Sequence, residues 1–206
     1  EGGEGLLYGT QSVAGTVNIV TKQFADGTDG HVELGLDTNH GKHANGFFRT
    51  AIGEHRFVAY ASKDKADGFR PFGDVDYQPS GTDRERGYDV ASYGLKYAHH
   101  FGGAVRTSFG YQHTDATLDY VRPFGIARAS NERNEDLLTG KVDISAGENL
   151  QLYVKGYYHD WDTLFSQTNN SGGSTVVISD REFWGFKDYG ANLLAKYSPG
   201  GALEYL

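Results

Sequence analysis

The 206-residue sequence has no cysteine, and nowhere do eighteen apolar residues follow one another. The first absence excludes disulfide frameworks, thiol nucleophiles and cysteine-held metal, and it is compatible with an oxidising compartment. The second excludes a transmembrane helix. Catalytic signatures are missing too: there is no phosphate loop, no HExxH, no GxSxG, and no Ser, His and Asp set at an interpretable spacing. No catalytic residue is assigned, and an enzyme is not expected. Basic residues are in deficit, with Lys+Arg 19 against Asp+Glu 27 and a net charge of −8. Because the positive charges are dispersed, phosphate neutralisation is not available and nucleic acid is excluded as a partner. Hydrophobic residues reach only 38%. That figure suggests a polar, soluble chain, yet a membrane barrel gives the same one, since alternate residues face lipid and lumen and the average cancels.

What is abundant is glycine (29), tyrosine (14) and phenylalanine (12), the profile of many strands joined by tight turns. From residue 30 the chain falls into segments of about ten residues, the length a tilted strand needs to cross a bilayer. The first, 30–38, sets Val32, Leu34 and Leu36 against His31, Glu33, Gly35 and Asp37, which is period-two alternation. A polar connection, 39–45, leads to 46–53, where Phe48 and Ile52 oppose Phe47, Arg49 and Ala51. Strand three, 56–63, is apolar on both faces. Strand four, 88–100, aligns Ala91, Tyr93, Leu95 and Tyr97. Strand five runs from 104 to about 120, with Val105, Thr107, Phe109 and Tyr111 on one face. Strands six (136–146), seven (150 to about 165) and eight (187–198) repeat the pattern, strand eight through Tyr189, Ala191, Leu193, Ala195 and Tyr197.

Short glycine turns alternate with long polar stretches, 64–87, 121–135 and 166–186, at successive strand ends. Tyr88, Tyr97, Tyr120 and Tyr197 lie near strand ends, where interfacial aromatic girdles form. In the first long stretch Arg70, Arg84 and Arg86 sit among Phe69, Phe72, Tyr77 and Tyr88, and Arg122, Arg128 and Arg133 follow in the second. Arginine forks with aromatic faces suit an anionic, aromatic ligand. Asp74, Asp76 and Asp83 offer hard oxygens for calcium but lack EF-hand spacing, so no metal ligand is assigned. His99-His100 beside a short turn, and His40 and His43 at a connection, read as solvated tips.

The front of the chain carries the most specific signal. The run from Leu6 to Lys22 includes Tyr8, Gly9, Gly15, Asn18, Ile19, Thr21 and Lys22 at the spacing of RGPxSxLYGSxAxGGVINIxTK. Glu1-Gly2-Gly3 stands where RGP would be, and Ala14 replaces one glycine of the GG pair. This segment resembles the end of the plug domain of TonB-dependent outer-membrane receptors. The resemblance implies an all-β fold: residues 1–22 as the C-terminal end of a plug domain, and 23–206 as the first eight to nine strands of an antiparallel transmembrane β-barrel of typically about 22 strands. The chain is then expected to be a fragment without its signal peptide and coupling segment, and not to close into a heat-resistant barrel alone. The implied activity is uptake, with no bond made or broken. The implied partners are outer-membrane lipid, the TonB–ExbB–ExbD complex, and a small-molecule ligand, foremost a ferric siderophore, with cobalamin or haem next; no cofactor is implied. Arg70, Tyr77, Arg84, Arg86, Tyr88, Arg122 and Arg128 then become ligand candidates at the extracellular mouth, with the plug residues structural. The rival readings are a small outer-membrane barrel enzyme and a passive porin or adhesin barrel.

Overall fold

A computed structural model of the chain describes residues 23–38, 40–68, 87–120, 126–171 and 174–198. These form a single antiparallel sheet, ordered β1-β2-β3-β4-β5-β6-β7-β8, with no helix among the described residues. The strands are β1 Asp29–Leu36, β2 Lys42–Ile52, β3 His55–Ala66, β4 Tyr88–Phe101, β5 Val105–Tyr120, β6 Ile126–Ala146, β7 Leu150–Ser171 and β8 Ser174–Tyr197. Every strand pairs with its neighbour in sequence, as a meander of hairpins does. Along one edge of the sheet three turns are short, after Ile52, Phe101 and Ala146, and each places glycine at positive φ: Gly53 (58°), Gly102 (57°) and Gly103 (79°), and Gly147 (77°). That conformation is open to glycine at no steric cost.

The eight strands match the expected number, but several are longer than the alternation suggests. Lys42 to Asn45, expected in a connection, begin β2. The stretch 126–135, read as loop, is the first half of β6. Most of 166–186 is likewise strand, the upper ends of β7 and β8. The physical reason is that ladder hydrogen bonds are made by the backbone. Pairing therefore continues past the point where the side chains stop alternating between apolar and polar.

Register turns the alternation of single strands into two continuous faces. One face carries Val32, Leu34, Phe48, Phe57, Leu95, Tyr97, Phe109, Leu138, Val154, Tyr158, Tyr189 and Leu193, and their partners across each ladder. The other carries Asp29, Glu33, Arg49, Arg56, Lys96, Arg106, Lys141, Asp143, Lys155 and Asp188. We call them the apolar and the charged face. The buried residues Val58, Ala66, Ala98, Ala129 and Thr163 all lie on the charged face, which is the crowded side of the sheet. Val58 explains why β3 is apolar on both faces. On the apolar face Leu34 is 78% exposed and Leu193 73%. A soluble protein rarely leaves so continuous an apolar surface in water.

Glycine in strand interiors makes room on the charged face. The Tyr60 ring lies across Gly94 of β4, and its hydroxyl donates to Gln112 Oε1 of β5 at 3.0 Å, bridging two strands away. A methyl group at position 94 would fall on that ring. Gly94→Ala is therefore expected to destabilise the fold by about 1–3 kcal/mol. Because the Tyr111 carbonyl oxygen would also lie 2.7 Å from that methyl group, adding Tyr60→Ala should recover only part of the loss, read as a coupling energy in a double-mutant cycle followed by urea unfolding; additive losses would refute the contact.

The short turns are staggered. Ile52 pairs with His55, and His55 with His99; the next hairpin closes two residues further on, at Phe101 and Val105. Val105 pairs with Ile144, and the following hairpin again closes two residues further, at Ala146 and Leu150.

Candidate functional site

Measured from the strand ends along the short-turn edge, the first charged residue on the apolar face occurs at a nearly constant distance. Lys42 lies ten residues from Ile52, Asp115 ten from Val105, Asp136 ten from Ala146, Asp160 ten from Leu150 and Lys187 ten from Tyr197. In β3 the interval from His55 to Lys63 is eight, and in β4 from Phe101 to Asp89 it is twelve. Between turns and charges, β2 to β8 place no Asp, Glu, Lys or Arg on that face. Ten residues rising about 3.3 Å each, tilted about 40°, span roughly 25 Å, the height of the apolar band on an outer-membrane barrel.

Tyrosines stand just under the charges. Tyr111 donates to Asp136 at 2.7 Å and Tyr158 to Asp160 at 3.0 Å, with Tyr93 and Tyr189 at neighbouring positions. Toward the turns the same face presents Phe57, Tyr97, Phe109, Phe101 and Tyr197. Tyr97 and Tyr197 are thus on the face expected of a girdle, whereas Tyr88 is on the charged face opposite Ala66 and Leu118. The side chain of Tyr120 is outside the described residues. At the charge line Asp136 and Asp160 stand directly across from each other, but each is compensated separately, Asp160 by Lys187 Nζ at 2.7 Å. Asp89 and Lys187 lie beyond the band. The ammonium of Lys63, and less strongly that of Lys65, holds the Asp89 carboxyl below its usual range, and Asp160 raises the Lys187 ammonium above its own.

On the charged face, above the same level, β6, β7 and β8 assemble an aromatic cluster around one cation. The Arg133 guanidinium lies 4.6 Å over the Trp161 ring. Trp161 meets Trp184 edge-on at 4.8 Å between centroids and Phe186 at 5.0 Å. His159 packs on Phe186 at 5.4 Å and sets Nε2 2.8 Å from Glu135. Two polar atoms in this nest have no partner: Trp161 Nε1, and Oγ1 of Thr163, a residue only 1% exposed. Pairing brings these residues together, since Thr163 is opposite both Arg133 and Trp184, and Trp161 is opposite both Glu135 and Phe186. An arginine on an aromatic floor suits a flat anion.

Of the ligand candidates read from the sequence, Arg70, Tyr77, Arg84, Arg86 and Arg122 lie outside the described residues, as does the whole segment from Tyr8 to Lys22. Tyr88 and Arg128 are described and are not brought together. Tyr88 is on the charged face, while Arg128 reaches Asp119 at 3.8 Å on the opposite one. Arg133 belongs to a strand and not to a loop. Trp161, Trp184 and Phe186 gave no motif in the sequence; the available signal was that the chain has two tryptophans in all, Trp161 in a segment read as strand and Trp184 in the stretch 166–186 read as loop. No family model matches the chain, and no solved structure matches it significantly.

Proposed function

We propose that this sheet is a stretch of the wall of a β-barrel in a bacterial outer membrane, with the apolar face toward lipid and the charged face toward the lumen. The observation that carries this reading is the charge-free band, about ten residues tall on seven successive strands. A membrane face must keep ionisable groups out of the hydrocarbon, and it places them at the interface with tyrosine. The asymmetry of the ends supports it. Turns of two or three residues close the sheet at one rim of the band, while β6, β7 and β8 rise well past the charge line at the other. Short turns on the periplasmic side and tall structure outside are the habit of outer-membrane barrels.

Within that class we assign the chain to the TonB-dependent receptors, on the resemblance of Leu6 to Lys22 to a plug terminus. Its work is then energy-coupled uptake of a scarce ligand, foremost a ferric siderophore, with cobalamin or haem next. Arg133, Trp161, Trp184 and Phe186 contribute a lumen-facing contact above the band for the anionic, aromatic part of that ligand.

Since cysteine is absent, single introduced thiols report the topology without background. In intact cells Val154→Cys and Leu193→Cys should resist a membrane-impermeant maleimide, and Arg181→Cys should react. Glu54→Cys and Glu148→Cys, in the short turns, should react only after the outer membrane is permeabilised. Labelling of Leu193→Cys as fast as Arg181→Cys would remove the membrane reading. Uptake that persists when the inner-membrane energy-coupling complex is deleted would remove the receptor assignment alone.

A further inference from the structure

The chain ahead of β1 does not leave the sheet at its edge. It bends at Asp26 and Gly27, and residues 23–26 lie over the charged face, where three strands reach up to them. Arg49 of β2 donates from Nη1 to the Gln23 carbonyl at 3.2 Å, Arg56 of β3 donates from Nη2 to the Asp26 carboxylate at 3.2 Å, and the Arg106 guanidinium of β5 lies 5.5 Å from the centre of the Phe24 ring. The floor between these arginines is small and covered: Ala98 of β4, opposite Arg56, is 0% exposed, and Val58 of β3, opposite Arg49, is 2%. Phe24 and Ala25 are themselves half-buried. Two of the guanidinium groups are held ready by the wall. Asp29 takes Arg49 with both oxygens, at 2.5 Å and 2.8 Å, and the carbonyls of Gly53 and His55 accept from Arg56 Nη1 at 2.6 Å and 3.2 Å. Donors fixed in advance lose little freedom when they grip a passing chain.

We propose that Arg49, Arg56 and Arg106 form a clamp on residues 23–26 that takes up tension from the chain ahead of Gln23 and keeps it from reaching β1. Among the described strands β1 pairs with β2 only, over eight residues. Ladder bonds lie one behind another along a strand, so a pull applied at Asp29 would part that ladder one pair at a time. The clamp changes the loading. Its arginines all stand within three residues of the short-turn edge, and they pass tension to β2, β3 and β5 together. Each contact is weak singly, since the Asp26 side chain is 96% exposed and such a pair contributes little; the strength lies in sharing among three strands. The inference rests on the receptor reading, in which uptake requires a pull on the segment ahead of Gln23.

The test pulls the full-length protein, reconstituted in a bilayer, from its N-terminus in a force microscope. In the wild type the chain ahead of Gln23 is expected to extend first, with residues 23–36 released in a separate, later step of about 50 Å. In R49Q/R56Q/R106Q that step should come at about half the force or less. Phe24→Ala/Asp26→Asn leaves every side chain of the wall in place and should lower the force in the same direction, so the result does not depend on how well the triple variant assembles. Asp26→Asn should add nothing once Arg56→Gln is present. Release of β1 at the wild-type force in both the triple and the Phe24→Ala/Asp26→Asn variants would overturn the clamp. If that force is unchanged while uptake still requires the inner-membrane energy-coupling complex, the clamp fails and the receptor reading stands. Uptake independent of the complex removes the receptor reading, and with it the tension the clamp would bear.

Discussion

Val154→Arg is expected to cost about 2–4 kcal/mol of stability in the bilayer, which is roughly 30- to 1000-fold in the folded population. Val154 is on the apolar face, four residues above Leu150 and six below Asp160, between Val142 and Leu193. An arginine there has no charged partner within the band and must reach about half the band's height to find water or Asp160. Lys155, the next residue, points to the charged face between Lys141 and Asn192, so Lys155→Glu should leave assembly near the wild-type level. Urea unfolding of the protein refolded into vesicles compares the two. Equal loss in both variants would mean that the faces do not differ in environment, and the membrane reading would fall with that result.

The second large effect concerns Arg133 and Trp161. With the guanidinium stacked 4.6 Å from the ring, the pair presents one charged and one flat surface on the charged face of the sheet. Losing one charge-assisted or stacking contact to the ligand, worth about 2 kcal/mol, lowers affinity roughly 30-fold. Arg133→Ala and Trp161→Ala are each expected to weaken ligand uptake by that order, seen as a rise in the ligand concentration that supports half-maximal transport, while amounts in the membrane stay unchanged. Arg133→Lys should recover little, because an ammonium keeps the charge but not the planar stacking. Unchanged transport in Arg133→Ala would remove the cluster from the ligand path. The loss is in recognition, so it is distinct from that of Val154→Arg, where the protein fails to assemble.

The alternation of Val32, Leu34 and Leu36, and of Tyr189 to Tyr197, was legible because apolar and polar residues exchange at every step inside the band. Beyond the charge line that contrast stops. In β6 the stretch from Asn131 to Glu135 is polar on both faces, and it reads as loop although its backbone is paired throughout. The constant ten-residue interval could not be seen in one strand, since it becomes a line only when five strand ends and five charges are placed in register. The same holds for the aromatic cluster: Trp161 and Trp184 are far apart in sequence and become neighbours through the β7–β8 ladder alone. Tyr88 and Arg128 lie on opposite faces for a related reason. Their faces follow from parity carried across several hairpins, and composition records none of that parity.

The stagger of the short turns has a wider consequence. Two residues per hairpin is one residue per strand, and one step of about 3.3 Å along the chain for each 4.8 Å across it inclines the strands by roughly 35°. Over a closed circumference the same step makes the shear number equal to the number of strands, so the inclination does not depend on how wide the cylinder is. Any strand added at either edge, from this polypeptide or another, must keep that pitch for the charge line to meet itself after one circuit. Slope and thickness are thus written into each hairpin, and diameter is a matter of counting.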